Sequence, residues 1–110
     1  MQPFVDSTDL IMDGAALAQR MDRDGYLFIR DLLPMDAVAN VGRQFRDVVA
    51  EGGWLDPGHP KEAGIANLDA VCADPEPAFL DVFRRFYVRE DSHALKHHPN
   101  IIALFERMFG

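Results

Sequence analysis

Glu90, His93 and His97 stand at positions i, i+3 and i+7. That spacing places all three on one helical face, and two imidazoles with a carboxylate suit iron or zinc. A single helix rarely converges three ligands on one ion, and Arg89 and Lys96 crowd the same stretch. A polar, solvated turn between two amphipathic helices is therefore the better account, and no metal ligand is assigned. His97-His98 ahead of Pro99 fits a helix junction, where imidazole groups cap or bracket helix ends. His59 lies in a Gly-Pro turn near Trp54. Because binding residues concentrate on loops, Trp54 and His59 are the candidate substrate contacts, set against the plainer reading of an exposed loop with Trp54 folded onto the core.

Other chemistries find no support. Ser7 and Ser92 are the only serines and neither sits in a nucleophile elbow, while Gly52-Gly53 runs into Trp54-Leu55 without the Lys-Ser/Thr of a phosphate loop. The single cysteine, Cys72, cannot form an internal disulfide and reads as a small apolar side chain in a reducing compartment. No catalytic or cofactor-binding residue is assigned. Eleven Lys and Arg face eighteen Asp and Glu, a net charge of −7 that disfavours nucleic acid and anionic membranes as partners. No apolar run approaches the ~20 residues that span a bilayer, and the N-terminus lacks the basic start and apolar core of a signal peptide, so a cytoplasmic location is expected.

The positioning elements follow from Pro and Gly punctuation. With 48% apolar and 26% charged residues, the chain has globular composition and the length of one region, residues 1–110. Asp13 caps a first helix carrying Leu17 and Met21 that stops at Gly25. Tyr26, Leu27, Phe28 and Ile29 form an apolar, aromatic and β-branched run that predicts a buried strand. Pro34 opens a helix with Val38, Val41, Phe45 and Val48 inward and Arg43, Gln44, Arg46 and Asp47 facing away, ended by Gly52-Gly53. Residues 54–63 are a loop, because Asp56-Pro57-Gly58 is turn chemistry and Pro60 follows closely, and residues 64–72 are left open between helix and strand. Residues 74–77, Asp-Pro-Glu-Pro, start the most amphipathic helix, with Phe79, Leu80, Phe83, Phe86 and Tyr87 on one stripe. A further turn or two follows through Ser92, and Pro99 begins a last helix with Ile101, Leu104, Phe105 and Met108 inward. A lone strand among helices leaves backbone groups unpaired, so residues 64–72, a partner chain or a missing sheet must pair with residues 26–29.

Asp13-Gly14 with Leu17, then Asp24-Gly25-Tyr26-Leu27-Phe28-Ile29-Arg30-Asp31-Leu32-Leu33-Pro34 ahead of an amphipathic helix, resembles the N-terminal part of the phytanoyl-CoA dioxygenase family. His97 through Gly110 is similar to the helix preceding the catalytic core of that family. The resemblance implies a mostly α region with one or two strands, the N-terminal helical portion of an α+β double-stranded β-helix (jelly-roll, cupin-like) oxygenase whose barrel core is missing from this chain. It implies Fe(II) and 2-oxoglutarate as cofactors of the parent, and hydroxylation of a small organic substrate at an unactivated C–H bond. The family holds iron on a His-x-Asp/Glu pair plus a distant His. Here the residues two after His59, His93, His97 and His98 are Lys61, Leu95, Pro99 and Asn100, so none matches that motif. The chain then serves as a structural portion, not competent alone, joined to the remaining barrel or a second chain along the edge of residues 26–29. The alternative is a small helical interaction or dimerisation module without catalysis.

Overall fold

Four of the five α-helices begin or end where the sequence supplies a cap, a proline or a glycine. The Asp13 carboxylate accepts the Ala16 amide at 3.0 Å, and Gly25, at φ 77°, closes α1 (Gly14–Asp24) with its N–H on the Met21 carbonyl. The left-handed conformation needed there is cheap only for glycine. α2 (Met35–Glu51) ends at Gly52-Gly53, α3 (Pro77–Tyr87) starts on Pro77, and a short α4 (Glu90–Lys96) precedes α5 (Pro99–Phe109). Three-residue 3-10 turns lie at Thr8–Leu10 and Lys61–Ala63. The computed structural model describes residues 1–110, and its backbone contacts divide the chain into two compact units, Met1–Met35 with Lys96–Gly110, and Asp36–Leu95.

In the first unit α1 lies directly against α5. The close approach occurs at Gly14, where a Cβ would fall on the backbone carbonyl of Arg107. Leu17, Leu104 and Met108 form the core, with Leu10, Ile11, Met21, Leu27, Ile29 and Leu32 packed around them. Polar side chains tie the periphery to it: Arg107 donates to the Ile11 carbonyl at 2.9 Å, and Asn100 to the Leu32 carbonyl at 2.8 Å. The hydroxyl of Ser7, a fully buried residue, accepts from Arg20 at 3.2 Å.

Residues 26–29 do not form a strand. A single parallel bridge joins Asp6 to Phe28, with the Ser7 amide donating to the Phe28 carbonyl at 2.8 Å. Neighbouring backbone donors find side chains instead: the Val5 amide donates to the Tyr26 hydroxyl and the Arg30 amide to Thr8 Oγ1. The segment keeps the alternation of an extended chain, since Leu27 and Ile29 meet the Leu17 core while Tyr26 and Phe28 meet Phe4. Within this chain the one bridge to residues 26–29 therefore comes from Asp6 and not from residues 64–72. Residues 64–72 are neither helix nor strand; one antiparallel bridge links Ala66 to Leu55.

In the second unit Val48, Val49 and Val82 are buried, with Trp54, Leu55 and Phe86 around them. The inward stripes differ from those expected. Phe45 and Phe83 are 47% and 46% exposed, and Phe105 of the first unit is 47% exposed. Small β-branched Val82 and Val48 occupy the contact, and Gly52 is so close to Val82 that a Cβ would overlap its methyl. An intimate contact of that kind leaves no room for a phenyl ring, so the aromatic residues flank it. α3 also starts later than expected, leaving Pro75 outside the helix.

The two helical glycines separate cleanly by experiment. Gly14→Ala drives a methyl into backbone and is expected to cost about 1–3 kcal/mol. Gly42→Ala meets only Arg46 Nη1 at 3.5 Å and is expected to stabilise by about 0.4–1 kcal/mol through reduced unfolded-state entropy. Urea-unfolding midpoints of the two variants check both signs.

Candidate functional site

The loop after α2 is the part of the chain where polar, apolar and titratable side chains converge on a concavity. The Asp56-Pro57-Gly58 sequence makes a tight turn because the Asp56 carboxylate accepts the Gly58 amide at 2.8 Å, a local bond that competes with regular structure. That backbone bond, together with the neighbouring His59, holds the Asp56 carboxyl below the usual carboxylate range. The His59 ring places Nδ1 3.1 Å from the second Asp56 oxygen. An ionised Asp56 orients the imidazole through Nδ1, which leaves Nε2 as the ring atom available to a ligand. Ala50, Leu55, Asp56, Pro57, His59 and Lys61 are among the residues lining a hollow of about 290 Å³. The arrangement can grip a small molecule through apolar walls and a few polar groups.

Trp54 is placed differently. It packs on the Val48, Val49 and Val82 core and stacks on Phe79 at 5.9 Å between ring centroids. It does not line the His59 hollow. Trp54 instead begins a run of rings that continues through Phe79, Phe83 and Tyr87 at 6.0 and 5.4 Å and ends with His93 set edge-on to Tyr87 at 4.9 Å. The i, i+4, i+8 spacing on α3 builds this ladder.

Glu90, His93 and His97 do not assemble a metal centre: no three metal-ligating side chains stand close enough to hold an ion. His93 Nε2 bonds the Tyr87 carbonyl, and its ring lies against Tyr87. These residues do not fit the iron that the family resemblance implies. His98 has a structural role, with its Nδ1 accepting the Asn100 amide at 3.1 Å as the N-cap of α5.

Sequence reasoning gives Asp56 a turn role alone and passes over Asp91. The Asp91 Oδ2 atom receives two side-chain amides of α2, from Asn40 at 2.8 Å and Gln44 at 2.6 Å. This pair, one helical turn apart, joins α4 to α2. The Asn40 bond and then the Gln44 bond hold the Asp91 carboxyl below its ordinary value of 3.8. A carboxyl lowered by folding contributes stability that is complete above the ordinary value and is lost as pH falls through the lowered one. Removing both donors with Asn40→Ala and Gln44→Ala is expected to raise the Asp91 pKa toward 3.8 and to flatten acid destabilisation below that pH. Carboxyl carbon NMR titration and urea midpoints against pH measure the two effects.

The chain is similar along its whole length to 1-deoxypentalenic acid 11-beta-hydroxylase of Streptomyces exfoliatus, with 27% identity over 110 residues, all of this chain and 36% of that protein. The Streptomyces arenae protein of the same name is 27% identical over 107 residues, 97% of this chain and 35% of that protein. The chain thus spans about a third of the length of these two relatives. No family model matches the sequence, and no solved structure matches it. No helix is long and apolar enough to cross a membrane.

Proposed function

We propose that this chain is the N-terminal helical portion of an Fe(II)/2-oxoglutarate-dependent oxygenase of the phytanoyl-CoA dioxygenase type, whose parent hydroxylates a small organic substrate in the cytoplasm. The observation that carries the proposal is the end-to-end similarity to two hydroxylases, each about three times as long. The mostly helical content and the family resemblance of residues 13–34 point the same way. Iron and 2-oxoglutarate are held by the barrel portion of the parent, and this chain is not competent alone. It braces the barrel, which joins along the extended residues 26–29, where a single bridge leaves further backbone groups for pairing. Residues of the loop after α2 meet the substrate, His59 from the hollow and Trp54 through the part of its indole left uncovered by the Val48, Val49 and Val82 core.

A second reading, an interaction module without catalysis, draws on the exposed Phe83, Tyr87 and Val88 of the second unit. Succinate release coupled to substrate hydroxylation separates the two. It is expected from the longer polypeptide that carries these residues and not from residues 1–110 alone; a longer polypeptide that binds partners but never consumes 2-oxoglutarate would favour the module.

The two loop substitutions have different expected signatures. His59→Ala in the longer polypeptide raises the apparent KM about three- to tenfold, as loss of one exposed polar contact would, with the melting temperature unchanged. Trp54→Ala also lowers the melting temperature, because the indole covers Val48 and Val82. Steady-state kinetics beside thermal melts of both variants provide the comparison, and an unchanged KM for His59→Ala removes His59 from the substrate site.

A further inference from the structure

A groove separate from the His59 hollow runs along α2. Asn40, Arg43, Gln44, Arg46, Asp47, Lys61 and Glu62 line about 300 Å³ of it. Positions 43 and 46 are one turn apart, so both arginines rise from the same stretch of helix. Arg46 folds back along the helix, its Nη1 atom 3.5 Å from where a Cβ would stand on Gly42. Neither arginine has a carboxylate at ion-pair distance: Arg43 reaches the Asn40 amide oxygen at 3.4 Å, and the ion pairs of the second unit involve His59, Lys61 and Arg85.

The acids nearby are largely engaged elsewhere. Asp47 is ion-paired with Lys61 at 2.6 Å, with the Arg46 charge acting on it more weakly, and Asp91 on α4 is occupied by Asn40 and Gln44. Glu62 is the remaining carboxylate of the lining. Two like charges on adjacent turns repel, and a planar guanidinium pairs best with a carboxylate or phosphate in a two-pronged contact. A concavity in which two guanidinium groups stand without an ion-paired carboxylate leaves their forks open to the oxyanion of a ligand. We infer that this groove is an oxyanion site, in which Arg43 and Arg46 together bind the carboxylate or phosphate group of a small ligand, with the Lys61–Asp47 pair as its wall.

The inference is independent of the oxygenase reading, and titration of the 110-residue chain tests it. Inorganic phosphate and succinate are added separately, with sodium chloride at matched ionic strength as control, while ¹H–¹⁵N NMR follows the arginine Nε–Hε signals. Saturable shifts at Arg43 and Arg46 are expected with at least one of the two probes. Saturation by succinate alone identifies a carboxylate site, and saturation by phosphate alone a phosphate site. Arg46→Gln and Arg43→Gln are each expected to weaken binding by about tenfold, the loss of one charge-assisted contact. Arg84→Gln, on α3 and outside the groove, leaves it unchanged. Linear shifts with both probes, equal shifts with chloride, or equal weakening by Arg84→Gln would overturn the assignment.

Discussion

Burial is the scarce resource in this chain, and the rest of its architecture follows from how little there is. Six apolar residues are buried, Leu17, Leu104 and Met108 in one unit and Val48, Val49 and Val82 in the other. Two clusters of three leave each unit dependent on contacts of unusual closeness. Gly14 lets α1 touch the backbone of α5, and Gly52 lets the end of α2 touch Val82. In both places the missing side chain makes the contact possible, since packing density rewards surfaces that meet without a gap.

Where apolar packing is thin, polar side chains fasten loops and helices by reaching backbone carbonyls or one shared carboxylate. Arg107 and Asn100 do this around Leu17, each holding a loop carbonyl that would otherwise lack a partner. Asn40 and Gln44 do it for α4 through Asp91. Near the His59 hollow the same economy appears on a smaller scale, with Asp56 shaping its own turn and aiming the ring of His59.

The helices were legible because their signals are local. Asp13, Gly25, Pro77, Pro99 and the glycines after α2 mark ends by chemistry that acts within a few residues. Residues 26–29 were legible as an extended apolar run, read as a buried strand, and illegible as to their partner, because a bridge to Asp6 is a long-range event that composition does not encode. Aromatic residues misled the reading of the core: hydrophobic spacing puts Phe83 on the stripe, whereas the close contact at Gly52 selects Val82. His59 stood out as a loop histidine, yet its partner Asp56 looked like turn chemistry alone. Arg43 and Arg46 looked like solvated helix surface, and only the fold shows that the nearby acids are already engaged.

The position of Trp54 has a spectroscopic consequence. It is the single tryptophan of the chain and lies wholly within the second unit, against Val48 and Val82 and stacked on Phe79. Indole emission is therefore an optical label already built into Asp36–Leu95 and silent about Leu17, Leu104 and Met108. A melting curve followed by tryptophan fluorescence describes half of the molecule, while circular dichroism weighs the helices of both halves. Coincidence of the two curves is then a direct readout of whether the units lose their structure together or in sequence.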